Sequence, residues 1–127
     1  MSATEHILVV DDNADVRNVI REILCDAGYR ASEAPDGPSM REFLKTGEPV
    51  DAIILDAVMP GEPGVSLALH AKQLRIPLVM ISGSMEAQNI AAENRLHLLD
   101  KPFHAHQLIE AVVQAIRGAR PEADAPT

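Results

Sequence analysis

Five polar side chains each follow a short apolar run of the chain. Asp11 and Asp12 follow Ile7–Val10, and the others are Asp56, Ser82 and Lys101. Carboxylates held close together disfavour one another's ionised form, and a hard divalent cation with oxygen ligands keeps them ionised. If the three aspartates meet, they predict a Mg²⁺ site. Ser82 would add a hydroxyl to it, and Lys101 would add a balancing ammonium.

Three of these five residues also have an ordinary structural interpretation. Asp12 and Asn13 could cap the helix that follows them, Ser82 could belong to a turn, and Lys101 could be a solvated surface lysine. Asp56 resists such an interpretation, because a charge facing the core after four apolar residues would be costly. We therefore expect Asp56 at the open end of a strand.

Alternating short apolar and longer amphipathic segments supply the elements that position these residues. The predicted strands are His6–Val10, Tyr29–Ala34, Val50–Leu55, Leu78–Ile81 and Leu96–Leu99. The predicted helices are Ala14–Ala27, Pro38–Lys45, Val65–Leu74, Glu86–Asn94 and His104–Arg117. Strand and helix alternation favours right-handed crossovers and parallel pairing, so the predicted fold class is α/β, a doubly wound five-stranded parallel sheet. In such a sheet the carboxyl ends of the strands share one crevice, which would bring the five polar groups together.

The 127 residues predict one domain over residues 1–118 and a disordered Pro/Ala-rich tail over 119–127. A net charge of −8 argues against nucleic acid or a membrane surface as a direct partner. No apolar run reaches the roughly 18 residues of a membrane span, and the N-terminus lacks a signal-peptide pattern, so we expect a cytoplasmic protein. The single cysteine, Cys25, is interpreted as a small buried apolar residue.

Over residues 6 to about 117 the chain resembles a receiver domain of a two-component response regulator. The resemblance is carried by the pair Asp11-Asp12, by Asp56 and by three short motifs in the family's order and spacing. Those motifs are Met59-Pro60 with Gly64, Ser82-Gly83 and Lys101-Pro102-Phe103. The family implies a flavodoxin-like strand order, 2-1-3-4-5.

The resemblance also implies a role for each matching residue. Asp56 corresponds to the phosphoacceptor, Asp11 and Asp12 to the Mg²⁺-binding pair, Ser82 to the switch hydroxyl and Lys101 to the phosphate-pairing lysine. A main-chain carbonyl, here that of Val58, corresponds to the family's third protein ligand for the metal. The implied reaction is phosphoryl transfer from a phosphohistidine to Asp56, followed by self-catalysed hydrolysis.

The resemblance implies a signalling role rather than an enzyme acting on other substrates. The implied partners are a sensor histidine kinase or a histidine phosphotransfer protein, and a downstream protein target. A homodimer through the fourth and fifth elements is a further candidate assembly. Phosphorylation would change an interaction surface and so transmit the signal.

Two positions depart from the family's pattern. Leu98 stands where the family usually places a switch aromatic, so it offers a smaller lever and no hydroxyl. Val58 follows the phosphoacceptor at a position that lines the approach of water, and its apolar side chain cannot orient an attacking water. We therefore expect slow or intermediate dephosphorylation.

Three alternatives stay open at this stage. The chain could be the receiver part of a longer regulator with a DNA-binding or enzymatic output domain. It could be a small Mg²⁺-dependent hydrolase with Asp56 as nucleophile, although no segment is long enough to form a cap over a substrate. It could also be a receiver that never accepts phosphate, which the complete set of five residues disfavours. His104 and His106 are expected at the surface, with side chains pointing apart and no metal between them.

Overall fold

The computed structural model describes residues 4–59, 61, 63–83, 89, 92 and 97–119. Five strands and four helices lie along this part of the chain. In order they are β1 (His6–Val10), α1 (Ala14–Asp26), β2 (Arg30–Ala34), α2 (Gly37–Lys45), β3 (Ala52–Asp56), α3 (Gly64–Gln73), β4 (Leu78–Ser82), β5 (His97–Asp100) and α4 (Ala105–Ala119). The predicted helix over 86–94 lies outside the described residues apart from positions 89 and 92. Pro60 and the predicted tail beyond residue 119 also lie outside them.

The strands form one parallel sheet in the order β2-β1-β3-β4-β5. This confirms the doubly wound α/β fold and the flavodoxin-like strand order. In the described part of the chain, no helix has the length and apolarity needed to cross a membrane.

The three central strands are buried along their whole length because helices cover both faces of the sheet. Alternate residues of each strand therefore enter two separate cores. Leu8, Ile53 and Met80 pack with residues of α2 and α3 on one face. Ile7, Ile54 and Val79 pack with residues of α1 and α4 on the other.

The predicted burial of Cys25 is wrong, since its side chain is exposed. Ile20 and Leu24 form the buried face of α1. Cys25 follows Leu24 by one residue, a rotation of about 100° around the helix, which turns it away from the sheet. Its sulfur therefore contributes nothing to the core.

The start of α1 shows which residue caps the helix, a role that the sequence left open between Asp12 and Asn13. Asn13 is the N-cap, and its side-chain oxygen accepts hydrogen bonds from the backbone N–H groups of Asp15 (2.9 Å) and Val16 (3.1 Å). Asn13 therefore satisfies the free N–H groups of the first turn. This leaves the carboxylate of Asp12, one residue earlier, available for another partner.

Gly64 is the first residue of α3 and lies very close to the backbone of Ala57, the residue that follows β3. A Cβ atom at Gly64 would lie 2.7 Å from the carbonyl oxygen of Ala57 and 3.2 Å from its Cα. Both are backbone atoms and cannot rotate away. Gly64 is therefore the residue that allows α3 to lie against the peptide next to Asp56.

We expect Gly64→Ala to lower the free energy of unfolding by about 1–3 kcal/mol, the usual cost of forcing extra volume into a packed site. The measurement is urea unfolding followed by circular dichroism. Gly118→Ala is the matched control, because its Cβ would meet nothing within 4 Å and lies in α4. Alanine is the better helix former, so the control should be neutral or slightly stabilising. Equal destabilisation by both substitutions would contradict the close-approach explanation.

Candidate functional site

The carboxyl ends of β1 and β3 bring three carboxylates together. Asp11 follows β1, Asp12 is next in the chain, and Asp56 is the last residue of β3. One carboxylate oxygen from each lies within 4.8 Å of the others. Asp11 and Asp56 are buried and Asp12 is exposed. The predicted acidic cluster is therefore present at the predicted edge of the sheet.

Asp56 was expected just after the third strand, and the structure includes it in the strand. It aligns with Ile81 of β4, and the next N–H, that of Ala57, donates to the carbonyl of Ile81 at 2.9 Å. Parallel pairing thus extends to the residue that carries the carboxylate. The strand ladder, rather than a mobile loop, fixes the Asp56 main chain.

Asp11 is held through three of its groups. Its N–H donates to the carbonyl of Ala34 at 3.2 Å, its carbonyl accepts from Arg17 at 2.7 Å, and its Oδ1 accepts from the N–H of Asn13 at 2.8 Å. Its Oδ2 is buried and has no hydrogen-bond partner among the described residues. A buried carboxylate oxygen without a partner is costly, and an oxygen-seeking cation would satisfy it.

The environment of Asp56 disfavours its charged form. Burial raises the pKa of this carboxyl, and the neighbouring negative charges of Asp11 and Asp12 raise it further. A hydrogen bond from the Val58 N–H, 3.2 Å from Oδ1, and the nearby Lys101 ammonium act in the opposite direction on this pKa. The raising effects dominate, so the pKa of Asp56 lies above its ordinary value.

Lys101 and Ser82 lie at the same edge. The ammonium nitrogen of Lys101 is 3.8 Å from Asp56 Oδ1. Ser82 ends β4, is buried, and aligns with Asp100 at the end of β5. The N–H of Lys101 donates to the carbonyl of Ser82 at 3.2 Å, which joins the segments that carry the two residues. The five residues predicted from the sequence thus meet at one edge.

The two departures from the family's pattern occupy different surroundings. The side chain of Val58 is exposed, and the residue contributes its N–H to Asp56. Leu98 is partly buried and packs against the core shared with α2 and α3. Leu98 therefore lies in the apolar interior next to β4, whose residue Met80 aligns with it.

His104 and His106 are exposed as expected, but their side chains do not point apart. Their rings stack with centroids 5.7 Å apart and planes inclined by 9°. The expectation treated both residues as helical, whereas α4 begins at Ala105. His104 precedes the helix, so the helical angle between positions two apart does not apply to this pair.

Sequence reasoning missed Arg17, which contacts the site through the carbonyl of Asp11. An arginine on an amphipathic helix carries no signal of such a role. Only the tertiary structure reveals that its guanidinium donates to a main-chain carbonyl. Gly64 was noticed as part of a motif, but its close approach to Ala57 could not be derived from the sequence.

The donor set fits a Mg²⁺ ion. Two buried carboxylates at the strand ends and a third that is exposed supply the hard oxygen ligands that this ion prefers, and one of them, Asp11, has an unpartnered oxygen. No cysteine, and no histidine from the described residues, takes part in this group. The chemistry of the group therefore favours Mg²⁺ over softer metals.

The chain is an α/β protein with a doubly wound parallel sheet. Its charged site, three aspartates with a serine and a lysine, lies at the carboxyl ends of the strands. Residues 7–113 match the family model of the response regulator receiver domain. The chain belongs to this family, the receiver domains of two-component response regulators.

Relatives and solved structures agree with this assignment. The phosphate regulon transcriptional regulatory protein PhoB of Pseudomonas aeruginosa is 30% identical over 131 residues, covering 94% of this chain and 56% of PhoB. The aerobic respiration control protein ArcA of Escherichia coli is 33% identical, covering 83% of this chain and 45% of ArcA. This chain spans about half the length of these two relatives. The structure of a response regulator receiver protein from Sinorhizobium medicae matches with a TM-score of 0.82 and 30% identity, covering 92% of this chain and 98% of that one.

We expect Asp56→Asn to stabilise the metal-free protein, because it removes one of three crowded negative charges. The gain should be on the order of 1 kcal/mol, the usual size of a single-residue effect. That corresponds to a rise of roughly 4 °C in Tm for a domain of this size. The measurement is thermal unfolding in EDTA near pH 7.

The same measurement at lower pH supplies an internal control for this prediction. A carboxyl whose folded-state pKa is raised favours folding when protonated, and this contribution is lost as the pH rises through that pKa. The difference between wild type and Asp56→Asn should therefore shrink as the pH is lowered toward the ordinary value of 3.8. A lower Tm for Asp56→Asn in EDTA at pH 7 would contradict the charge-crowding explanation.

Proposed function

We propose that this receiver domain accepts a phosphoryl group on Asp56 from the phosphohistidine of a sensor histidine kinase or a histidine phosphotransfer protein. The observation that carries the proposal is the position of Asp56. Its carboxylate ends a buried strand, stands within 4.8 Å of two further carboxylates and is 3.8 Å from the Lys101 ammonium. We take residues 1–118 as the receiver unit and 119–127 as a tail.

The contacts of Asp56 favour one oxygen as the attacking atom. The Val58 N–H and the Lys101 ammonium both approach Oδ1, so we assign Oδ2 as the nucleophile. An O–P bond forms at Oδ2 while the N–P bond of the phosphohistidine breaks, and the histidine nitrogen leaves with the electron pair of that bond. The domain contributes position and charge rather than a separate general base.

Asp11, Asp12, Asp56 and the main-chain carbonyl of Val58 would hold Mg²⁺. When bound, the ion would offset the negative charge of the carboxylates and of the phosphoryl oxygens. Lys101 pairs with a phosphoryl oxygen, and its existing approach to Asp56 requires little movement. Ser82 donates its hydroxyl to another phosphoryl oxygen. Hydrolysis then returns the Asp56 carboxylate and inorganic phosphate as water attacks phosphorus.

Phosphorylation would bias a two-state equilibrium of the β4 and β5 edge. A phosphoryl group adds charge and strong acceptor oxygens that favour an inward position of Ser82. Leu98 lies on β5, the neighbour of β4, and packs against the core shared with α2 and α3. A shift of this edge would therefore require the Leu98 side chain to repack. The resulting surface would engage a downstream protein, or a second copy through the fourth and fifth elements.

A longer regulator is a second candidate for the whole gene product. PhoB and ArcA are about twice the length that this chain covers, and PhoB is named a transcriptional regulatory protein. On this alternative the receiver would control a DNA-binding or enzymatic domain. The length of the native protein, measured by mass spectrometry of the endogenous product, decides between the two.

Incubation with a small phosphodonor such as acetyl phosphate and Mg²⁺ should add one phosphoryl group to the intact mass. Asp56→Asn should abolish the gain, and EDTA should suppress it. Lys101→Met should reduce the yield while leaving Mg²⁺ binding in place, because Lys101 serves the phosphoryl group. No Asp56-dependent gain in mass would refute the proposed function.

The phosphorylated protein should persist for minutes or longer, because the exposed Val58 side chain cannot orient water toward phosphorus. Val58→Asn supplies a polar group at the same place and should shorten the lifetime several-fold, which intact-mass measurements after donor removal would record. Val58→Ala is the control and should have little effect, since it changes size without adding a hydrogen-bonding group. A wild-type lifetime of seconds would contradict this interpretation of Val58.

A further inference from the structure

Arg17 joins the acidic site to the edge strand of the sheet. Its Nη1 donates to the carbonyl oxygen of Asp11 at 2.7 Å, and its Nε donates to Glu33 Oε1 at 3.0 Å. The Arg17 side chain is only 16% exposed, which strengthens both contacts relative to open solvent. One guanidinium therefore connects three parts of the chain, which are helix α1, the residue that follows β1, and strand β2.

Glu33 fixes the guanidinium from the opposite side. It lies on β2 and aligns with Val9 of β1. A second arginine, Arg21, stands one helical turn after Arg17 and places its Nε 2.9 Å from Glu33 Oε2. Glu33 thus has an arginine beside each of its two oxygens.

The carbonyl that Arg17 binds belongs to the peptide between Asp11 and Asp12. A planar peptide moves as a unit, so holding its oxygen also sets the direction in which the chain enters Asp12. The N–H and Oδ1 of Asp11 are held by Ala34 and Asn13. Arg17 completes this set of bonds without touching either carboxylate group.

We propose that Arg17, braced by Glu33, is a positioning residue that orients the Asp11–Asp12 peptide so that both carboxylates face one divalent cation. This inference rests on the proposed function, because it assumes that the acidic trio binds Mg²⁺. Lysine is a poor replacement here, because its three N–H donors share one nitrogen and cannot span two acceptors as the planar guanidinium does.

The charge of Arg17 and its proposed positioning role predict opposite effects of its removal on metal binding. Removing a positive charge beside an acidic cluster should strengthen cation binding if charge alone matters. Removing a positioning contact should weaken it, typically 10-fold to 100-fold for an outer-shell partner of a metal site. Arg21 supplies the matched control, since it pairs with the same Glu33. Its described contacts are to Glu33 and Asn18, and it carries the same charge.

The experiment is titration of the metal-free protein with MgCl₂, followed by NMR chemical shifts, with Tm measured in EDTA for each variant. We expect Arg17→Gln to weaken Mg²⁺ binding about tenfold, the lower end of the usual outer-shell effect. Arg21→Gln should leave the dissociation constant within about twofold of wild type or lower it, since it removes a positive charge but neither of the two Arg17 bonds. Arg17→Lys retains the charge and should also weaken binding, which separates geometry from charge.

Unchanged or tighter Mg²⁺ binding by Arg17→Gln would overturn the inference while leaving the proposed function intact. Equal weakening by Arg17→Gln and Arg21→Gln would also overturn it, because the effect would then come from bracing α1 against β2. If Arg17→Gln does not fold, the Mg²⁺ dissociation constants of Arg17→Lys and Arg21→Gln are compared by the same criteria. Absence of Mg²⁺ binding by the wild type would instead contradict the proposed function, and this inference with it.

Discussion

The crowding of three carboxylates at one edge of a buried sheet is the constraint on which the site depends. Asp11 and Asp56 are buried, and burial together with mutual repulsion raises the pKa of Asp56. The Val58 N–H and Lys101 only partly offset this cost. Such an arrangement is unfavourable in isolation, and a divalent cation is the partner that removes the repulsion. The surrounding structure must therefore keep the carboxylates together against their own charge.

The sheet supplies this restraint through its main chain. Helices on both faces bury the apolar side chains of the central strands, so the strands cannot separate without exposing two cores. Parallel pairing continues to Asp56, and the Asp11 N–H is bonded to the end of β2. The energy that holds the charged residues in place comes from apolar burial elsewhere in the strands. Site geometry and core packing are consequently coupled.

Most of the fold was predictable because it follows from local periodicity. Short apolar runs and amphipathic segments specify strands and helices, and the handedness of crossovers restricts their order. The same rule placed Asp11, Asp56, Ser82 and Lys101 at one edge. Cys25 was misplaced because an apolar residue type does not specify which side of a helix it occupies, and that side depended on Ile20 and Leu24 meeting the sheet.

The contacts that the sequence did not specify are those between side chains and main-chain atoms distant in the fold. Gly64 meets the backbone of Ala57 and Arg17 meets the carbonyl of Asp11, and neither pairing leaves a periodic pattern. The stacked histidines show the same limit, because their geometry depended on whether the helix begins at residue 104 or 105. Residue type indicates which groups can bind, whereas their orientation depends on tertiary packing.

Asp11 shows how a rigid main chain and an unsatisfied side chain combine at such a site. Its N–H, its carbonyl and Oδ1 all have protein partners, while its buried Oδ2 has none among the residues described. A residue tied at three points cannot turn that oxygen toward water without breaking bonds. The orphaned oxygen is therefore held in one direction by bonds within the protein, so that a cation binding there would cost little ordering entropy. Preorganisation of this kind would make a small acidic cluster at the sheet edge selective for a ligand that matches its geometry as well as its charge.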